Sequence, residues 1–187
     1  MENDLKLRRF FIALLPPAAV RDYANEIKQH FSDRYQSRAA QKSPPHITLQ
    51  PPFEWPMAEL NCLKSVLTTF AAQQPSVPIR LSGFGAFPPR VIYIDVQHTD
   101  ELMALQTQLS QYLEKQLNIV DTRSQNRPFR PHLTVAFRDL KPKAFRLAWP
   151  RFEAKSAEFA FKVSQLTLLI HDGKRWTVAR NFRFGTT

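Results

Sequence analysis

Apolar and polar positions change period several times along this chain, and each change marks a predicted element. Phe10 to Leu15 is an unbroken apolar run that suits a buried strand. From Pro17 to Tyr35 the period is helical, with Val20, Tyr23, Ala24, Ile27 and Phe31 on one stripe and Pro17 at the first helical position. Residues 46–50 (HITLQ) form a short β-prone segment bounded by prolines, hence a strand. Residues 57–74 turn helical again, with Leu60, Leu63, Leu67 and Phe70 on one face. Two strands follow, 77–87 and 91–96, joined through Pro88-Pro89. A third helix runs to Leu117, capped by Thr99 and striped by Leu102, Leu105, Leu109 and Leu113. Residues 121–130 read as an Arg-rich loop, 131–137 as a strand, and Pro142 to Ala148 as a weaker helix. Segments 157–163, 165–171 and 175–184 close the chain as strands, with Asp172-Gly173 marking a hairpin turn.

No low-complexity linker divides the chain, but it echoes itself. Each of two Pro-His-x-Thr strands is followed by a helix and then two strands: IRLSGF with VIYIDV first, FKVSQL with RWTVAR later. Offsets of about 82 to 86 residues fit an old duplication with small insertions. The implied class is α+β, with two similar sheet-and-helix lobes.

Composition narrows the picture. A chain of 187 residues, 43% hydrophobic and 12% aromatic, can bury a sizeable core, which excludes a disordered chain. The formal net charge is +10, and 16 of the 26 basic residues are arginine, which points to an anionic partner such as nucleic acid or a phosphorylated metabolite. Cys62 is the single cysteine, so no internal disulfide forms and a cysteine-based zinc site is excluded. The apolar run after Arg8-Arg9 is six residues and stops at Pro16-Pro17, too short for a secretory core, and no run reaches membrane-spanning length. A soluble, cytoplasmic protein is expected, acting as a monomer away from membranes.

The candidate chemistry lies in the repeated motif, "PPHITL" at 44–49 and "RPHLTV" at 130–135. Side chains alternate on a strand, so His46 and Thr48 share one face, as do His132 and Thr134, while Ile47, Leu49, Leu133 and Val135 face a core. Lobes related by a pseudo-twofold would bring both pairs to one cleft. There, two imidazoles can divide general acid and base work, and two hydroxyls can hold the non-bridging oxygens of a phosphate. With five histidines and eleven threonines, roughly 0.3 copies of His-x-Thr are expected by chance. The shared proline and apolar positions make a chance pair far rarer.

Rival chemistries find little support. No carboxylate or third histidine stands at zinc-ligand spacing, and His30, His98 and His171 are scattered as surface or structural residues. Neither a Gly-rich phosphate loop nor a Gly-x-Ser-x-Gly elbow occurs. No cofactor and no metal are therefore expected. Arg130, two residues before His132, is a candidate phosphate ligand; Arg123, Arg127 and Arg138 could flank the cleft. Phe53, Phe84 and Phe87 fit core or rim packing better than base stacking.

Paired H-x-T-x motifs on a duplicated α+β chain resemble the two-histidine (2H) phosphoesterase superfamily, specifically its 2′-5′ RNA ligase-like members. RRFFIALLPP is similar to the opening strand, HITL to the first motif, and RPHLTV to the second with its leading arginine. The sequence after each motif, HITLQPPF and HLTVAFRDL, departs from the better-known bacterial cyclic phosphodiesterases. The resemblance implies one bilobal domain over residues 1–187, two pseudo-twofold-related antiparallel lobes around a central cleft. It further implies metal-independent opening of 2′,3′-cyclic phosphates on RNA ends or cyclic nucleotides, and in some members the reverse joining of RNA through 2′-5′ bonds. By that resemblance His46 donates the proton and His132 accepts one from water, with Thr48 and Thr134 on the phosphate. By symmetry, the residues alone do not distinguish the two roles. A hydrolase for small cyclic nucleotides or ADP-ribose cyclic phosphate is the alternative enzyme; an RNA-binding module without turnover is the alternative of another class.

Overall fold

A computed structural model describes residues 6–121 and 127–185. Along the chain run β1 (Leu7–Leu14), α1 (Ala18–Tyr35), β2 (Ile47–Pro56), α2 (Leu60–Ala72), β3 (Val77–Phe87), β4 (Val91–Val96), α3 (Asp100–Leu117), β5 (His132–Ala136), α4 (Pro142–Glu153), β6 (Glu158–Val163), β7 (Gln165–His171) and β8 (Trp176–Arg183). They form two four-stranded sheets, ordered β2-β1-β7-β8 and β5-β4-β3-β6, antiparallel throughout. This is the expected bilobal α+β architecture.

Sheet order sets the true correspondence between lobes. Each motif strand (β2, β5) is an edge, and its neighbour is the strand that precedes the intervening helix (β1, β4). The echo pairing VIYIDV with RWTVAR is corrected here: the first is β4, beside its motif strand, whereas the second lies in β8, at the far edge of the other sheet.

Strand alternation builds the core. Phe10, Ile12 and Leu14 of β1, Ile92, Ile94 and Val96 of β4, and Leu133 and Val135 of β5 point to the helical side and are fully buried. They share one core with the leucine stripe of α3, whose four leucines are at most 2% exposed. At about 25 cal/mol per Å² of apolar surface, this burial is the main force holding sheets to helices. Thr99 caps α3 as expected, its Oγ1 accepting from Leu102 N–H at 3.3 Å.

Two elements outrun their expected ends. β2 continues through Pro51 and Pro52 to Pro56, because these two prolines fall where its register with β1 breaks, between Gln50 and Phe53, on an edge strand whose other side is open. α4 continues past Pro150 to Glu153, where Phe152 is still buried in the core. Pro17 is the residue before α1 rather than its first.

Candidate active site

The sequence Pro-His does more than place a ring. In both motifs the residue before the proline is held extended, and its carbonyl turns back to the imidazole. Nδ1 of His46 lies 2.7 Å from the Pro44 carbonyl oxygen, and Nδ1 of His132 lies 2.7 Å from that of Arg130. A carbonyl can only accept, so each Nδ1 carries hydrogen, leaving each Nε2 to give or take a proton. Two copies of one local device thus set the same tautomer twice.

β2 and β5 lie against each other where the sheets meet, and α1 of one lobe packs on β5 while α3 packs on β2. Charge on His132 is felt at His46, so the two rings lie within electrostatic reach of each other. Thr48 and Thr134 are half-buried on the faces of their histidines. A cleft of about 920 Å³ opens beside them, lined by Thr48, His132, Arg130 and Phe87 and by Gln106 and Ser110 of α3; His46 and Thr134 are not among its lining residues. That volume is ample for a nucleotide.

Each histidine packs against aromatic rings from other strands of its own sheet. Phe11 of β1 lies 4.7 Å from the His46 ring, centroid to centroid. Tyr93 of β4 and Phe87 of β3 each lie 5.2 Å from His132, Phe87 edge-on. Gly85 makes room for this, since a Cβ there would collide with the Tyr93 ring. A bulge at Gly83, whose φ of 69° is left-handed, re-phases β3 so that Gly85 and Phe87 sit opposite Tyr93 and Val91.

Burial sets the protonation of both rings. It drives His46 down to about 4, and the nearby Lys28 and His132 push the same way, against the Pro44 bond. His132 is also depressed by burial, but the Arg130 carbonyl and the Asp95 carboxylate, which faces it on β4, favour its protonated form. Lys28 is itself buried on α1 and lowered to about 8 by burial, its Nζ donating to the Ser43 carbonyl at 2.9 Å.

The remaining candidates divide. Arg130 lies outside β5 and is exposed, yet it lines the cleft, as does Arg127. Arg138 does not line it; its φ is 58° and its guanidinium lies over Phe137. Arg123 lies outside the described residues. Phe87 reaches the site, whereas Phe53 and Phe84 pack toward the core against Phe10 and Phe152.

Sequence reasoning missed Phe11, Tyr93 and Asp139. The first two had a readable signal, an aromatic residue at the polar-face parity of the strand before each helix, 82 positions apart. Asp139 had none. Its Oδ1 accepts from Ser37 Oγ at 2.8 Å, and its Oδ2 from the N–H of Arg38 and Ala39 at 2.7 and 2.9 Å. It therefore ties the turn after β5 to the segment leading into His46.

Known proteins resemble this chain over nearly its whole length. A protein of Geobacillus kaustophilus named "Putative phosphoesterase" is 28% identical over 183 residues, covering 95% of this chain and 96% of its own. One of the same name from Bacillus cereus is 28% identical over 177 residues, covering 93% and 95%. Among solved structures, TT0787 of Thermus thermophilus superposes with a TM-score of 0.70 at 23% identity, covering 94% of this chain and 97% of that one. Escherichia coli LigT, complexed with 3′-AMP, gives 0.67 at 20% identity over 96% and 99%. The family model of the 2′-5′ RNA ligase superfamily matches residues 15–175, which takes in both motifs and the strands and helices that carry them. The chain therefore belongs to the 2′-5′ RNA ligase superfamily.

Proposed function

We propose that the protein opens 2′,3′-cyclic phosphates at RNA ends by acid–base catalysis divided between His46 and His132. The observation that carries this reading is the matched pair of 2.7 Å contacts that place hydrogen on Nδ1 of both rings and leave both Nε2 atoms for proton transfer. One Nε2 takes a proton from water as the water oxygen bonds to phosphorus. The other gives its proton to the ribose oxygen whose bond to phosphorus breaks, leaving a 2′-phosphate if the 3′ oxygen departs. Thr48, Thr134 and Arg130 donate hydrogen bonds to the non-bridging oxygens. With a ribose 5′-hydroxyl in place of water, the same ring opening, in which the 3′ oxygen departs, joins RNA through a 2′-5′ bond.

Family resemblance gives the donor role to His46, but the local charges favour the opposite. Asp95 stabilises a proton on His132, while Lys28 disfavours one on His46. We therefore assign the acid to His132 and the base to His46. The scheme uses no metal ion or cofactor. Support for a nucleotide substrate comes from LigT, crystallised with 3′-AMP, NADP+, ATP and phosphate.

The test is hydrolysis of an RNA oligomer ending in a 2′,3′-cyclic phosphate, with EDTA present, by the parent protein and by His46→Ala and His132→Ala. The parent should turn over, and each variant should lose at least about a hundredfold, as expected for removing an acid or base. Turnover confined to small cyclic nucleotides would move the assignment to that class. RNA binding that survives both substitutions, with no turnover by the parent, would leave a binding module.

A further inference from the structure

We propose that the sheet face beyond His46 is a track for single-stranded RNA. Trp176 stacks a base and Arg9 meets a phosphate of the strand lying 5′ to the cyclic end. The identity of that end group rests on the function proposed above; the track itself rests on its own geometry.

A ladder of rings leads away from the reacting centre. From His46 it passes to Phe11 at 4.7 Å, from Phe11 edge-on to Trp176 at 4.7 Å, and from Trp176 edge-on to His171 at 4.9 Å. Phe11 is buried with Ala13 and Leu169, so it serves as floor. Trp176 and His171 are only half-buried and present ring surface to solvent. Arg9 is exposed, its guanidinium 5.7 Å over the Trp176 ring and its Nη2 3.1 Å from His171 Nδ1. That Nδ1 also accepts from Gly173 N–H at 3.2 Å, so His171 carries its hydrogen on Nε2 as a further donor.

Charge suits a polyanion here. Lys42, exposed at the end of the turn leading to His46, is close enough to act on His171. Two carboxylates lie nearby: Asp172 is occupied with its own turn, accepting from the N–H groups of Lys174 and Arg175 at 2.8 Å, and Glu54 stands opposite Arg9 on β2. Aromatic faces interleaved with cations are how proteins grip single strands without reading sequence. The α3 wall of the cleft offers Gln106, Ser110 and Glu114, neutral or acidic side chains, while Arg127 and Arg130 are its basic lining among the described residues. Arg9, Lys42, Trp176 and His171 take no part in the proton transfers above.

Steady-state hydrolysis should be compared on adenosine 2′,3′-cyclic phosphate and on an RNA hexamer with a 2′,3′-cyclic end. Trp176→Ala and Arg9→Ala should each raise the hexamer KM about tenfold, the scale of losing one stacked base or desolvated contact, while kcat/KM on the mononucleotide stays the same. Trp176→Phe should recover most of the loss, and Arg9→Ala should flatten the salt dependence of hexamer binding by about one phosphate contact. Equal losses on both substrates would reduce Trp176 to packing behind Phe11 and overturn the track, as would no change on either. Should the parent turn over neither substrate, the function proposed above fails alone. Binding of a 3′-phosphorylated hexamer then decides: weakened by both variants it upholds the track, unchanged it overturns it.

Discussion

The two motif sites are alike in what their own residues determine and unlike in what their neighbours supply. His46 and His132 share the preceding proline, the carbonyl contact of 2.7 Å and the threonine two residues on. Around them the environments part: Phe11 and the buried Lys28 at the first, Tyr93, Phe87 and Asp95 at the second. The local repeat therefore sets tautomer and direction, while the packing around it sets which ring holds a proton. A symmetric motif in asymmetric surroundings is what a reaction needing one acid and one base requires.

Among changes that spare both histidines, the largest effect should come from removing the tie between the sites. Asp139→Ala frees three donors of the Ser37–Ala39 segment and loosens the lead into His46 while leaving β5 intact. Stability should fall by about 1–2 kcal/mol in urea unfolding, and kcat/KM by about tenfold. Asp139→Asn should restore part of both. A stability loss with an unaltered pH–rate profile would mean that Asp139 holds the fold without posing His46.

A pH profile sharpens the comparison next. The base must be neutral and the acid protonated, and kcat/KM reports the free protein. Activity should rise as pH climbs through the His46 value of about 4 and fall as pH passes the His132 value, which lies below the ordinary 6.5. An optimum at or above pH 8 would remove the division of roles made here.

Lys28→Met should give the smallest change. Without the neighbouring cation, the low-pH limb should move upward by less than about one pH unit, with kcat nearly unchanged. Folded Lys28 loses its proton at about 8 while the unfolded residue keeps it to about 10.5, so the unfolded state binds more protons in that window. Stability of the parent should consequently rise from pH 8 to 10.5, and the variant should lack that rise in denaturant midpoints.

What the sequence could reveal was what one element encodes by itself. The cap and leucine stripe of α3 were readable because cap, period and burial all lie within one helix. So were the alternating faces of β2 and β5. The extension of β2 across Pro51-Pro52 was not, since it takes both an edge position in the sheet and a break in register with β1 to make prolines tolerable there. Phe11 beneath His46, Tyr93 beside His132 and Asp139 clasping Ser37 depend on which strands become neighbours. That pairing is a property of the whole chain.

Sheet order also bears on synthesis. The sheet holding His132 is built from one continuous stretch, 77–163, whereas the sheet holding His46 takes β1 and β2 from the beginning of the chain and β7 and β8 from residues 165–183. A nascent chain that has reached Val163 already contains both His-x-Thr motifs, yet β1 still lacks its partner on one side. During translation the lobe that emerges first is thus the last to close, and its open β1 edge waits through most of the chain's elongation.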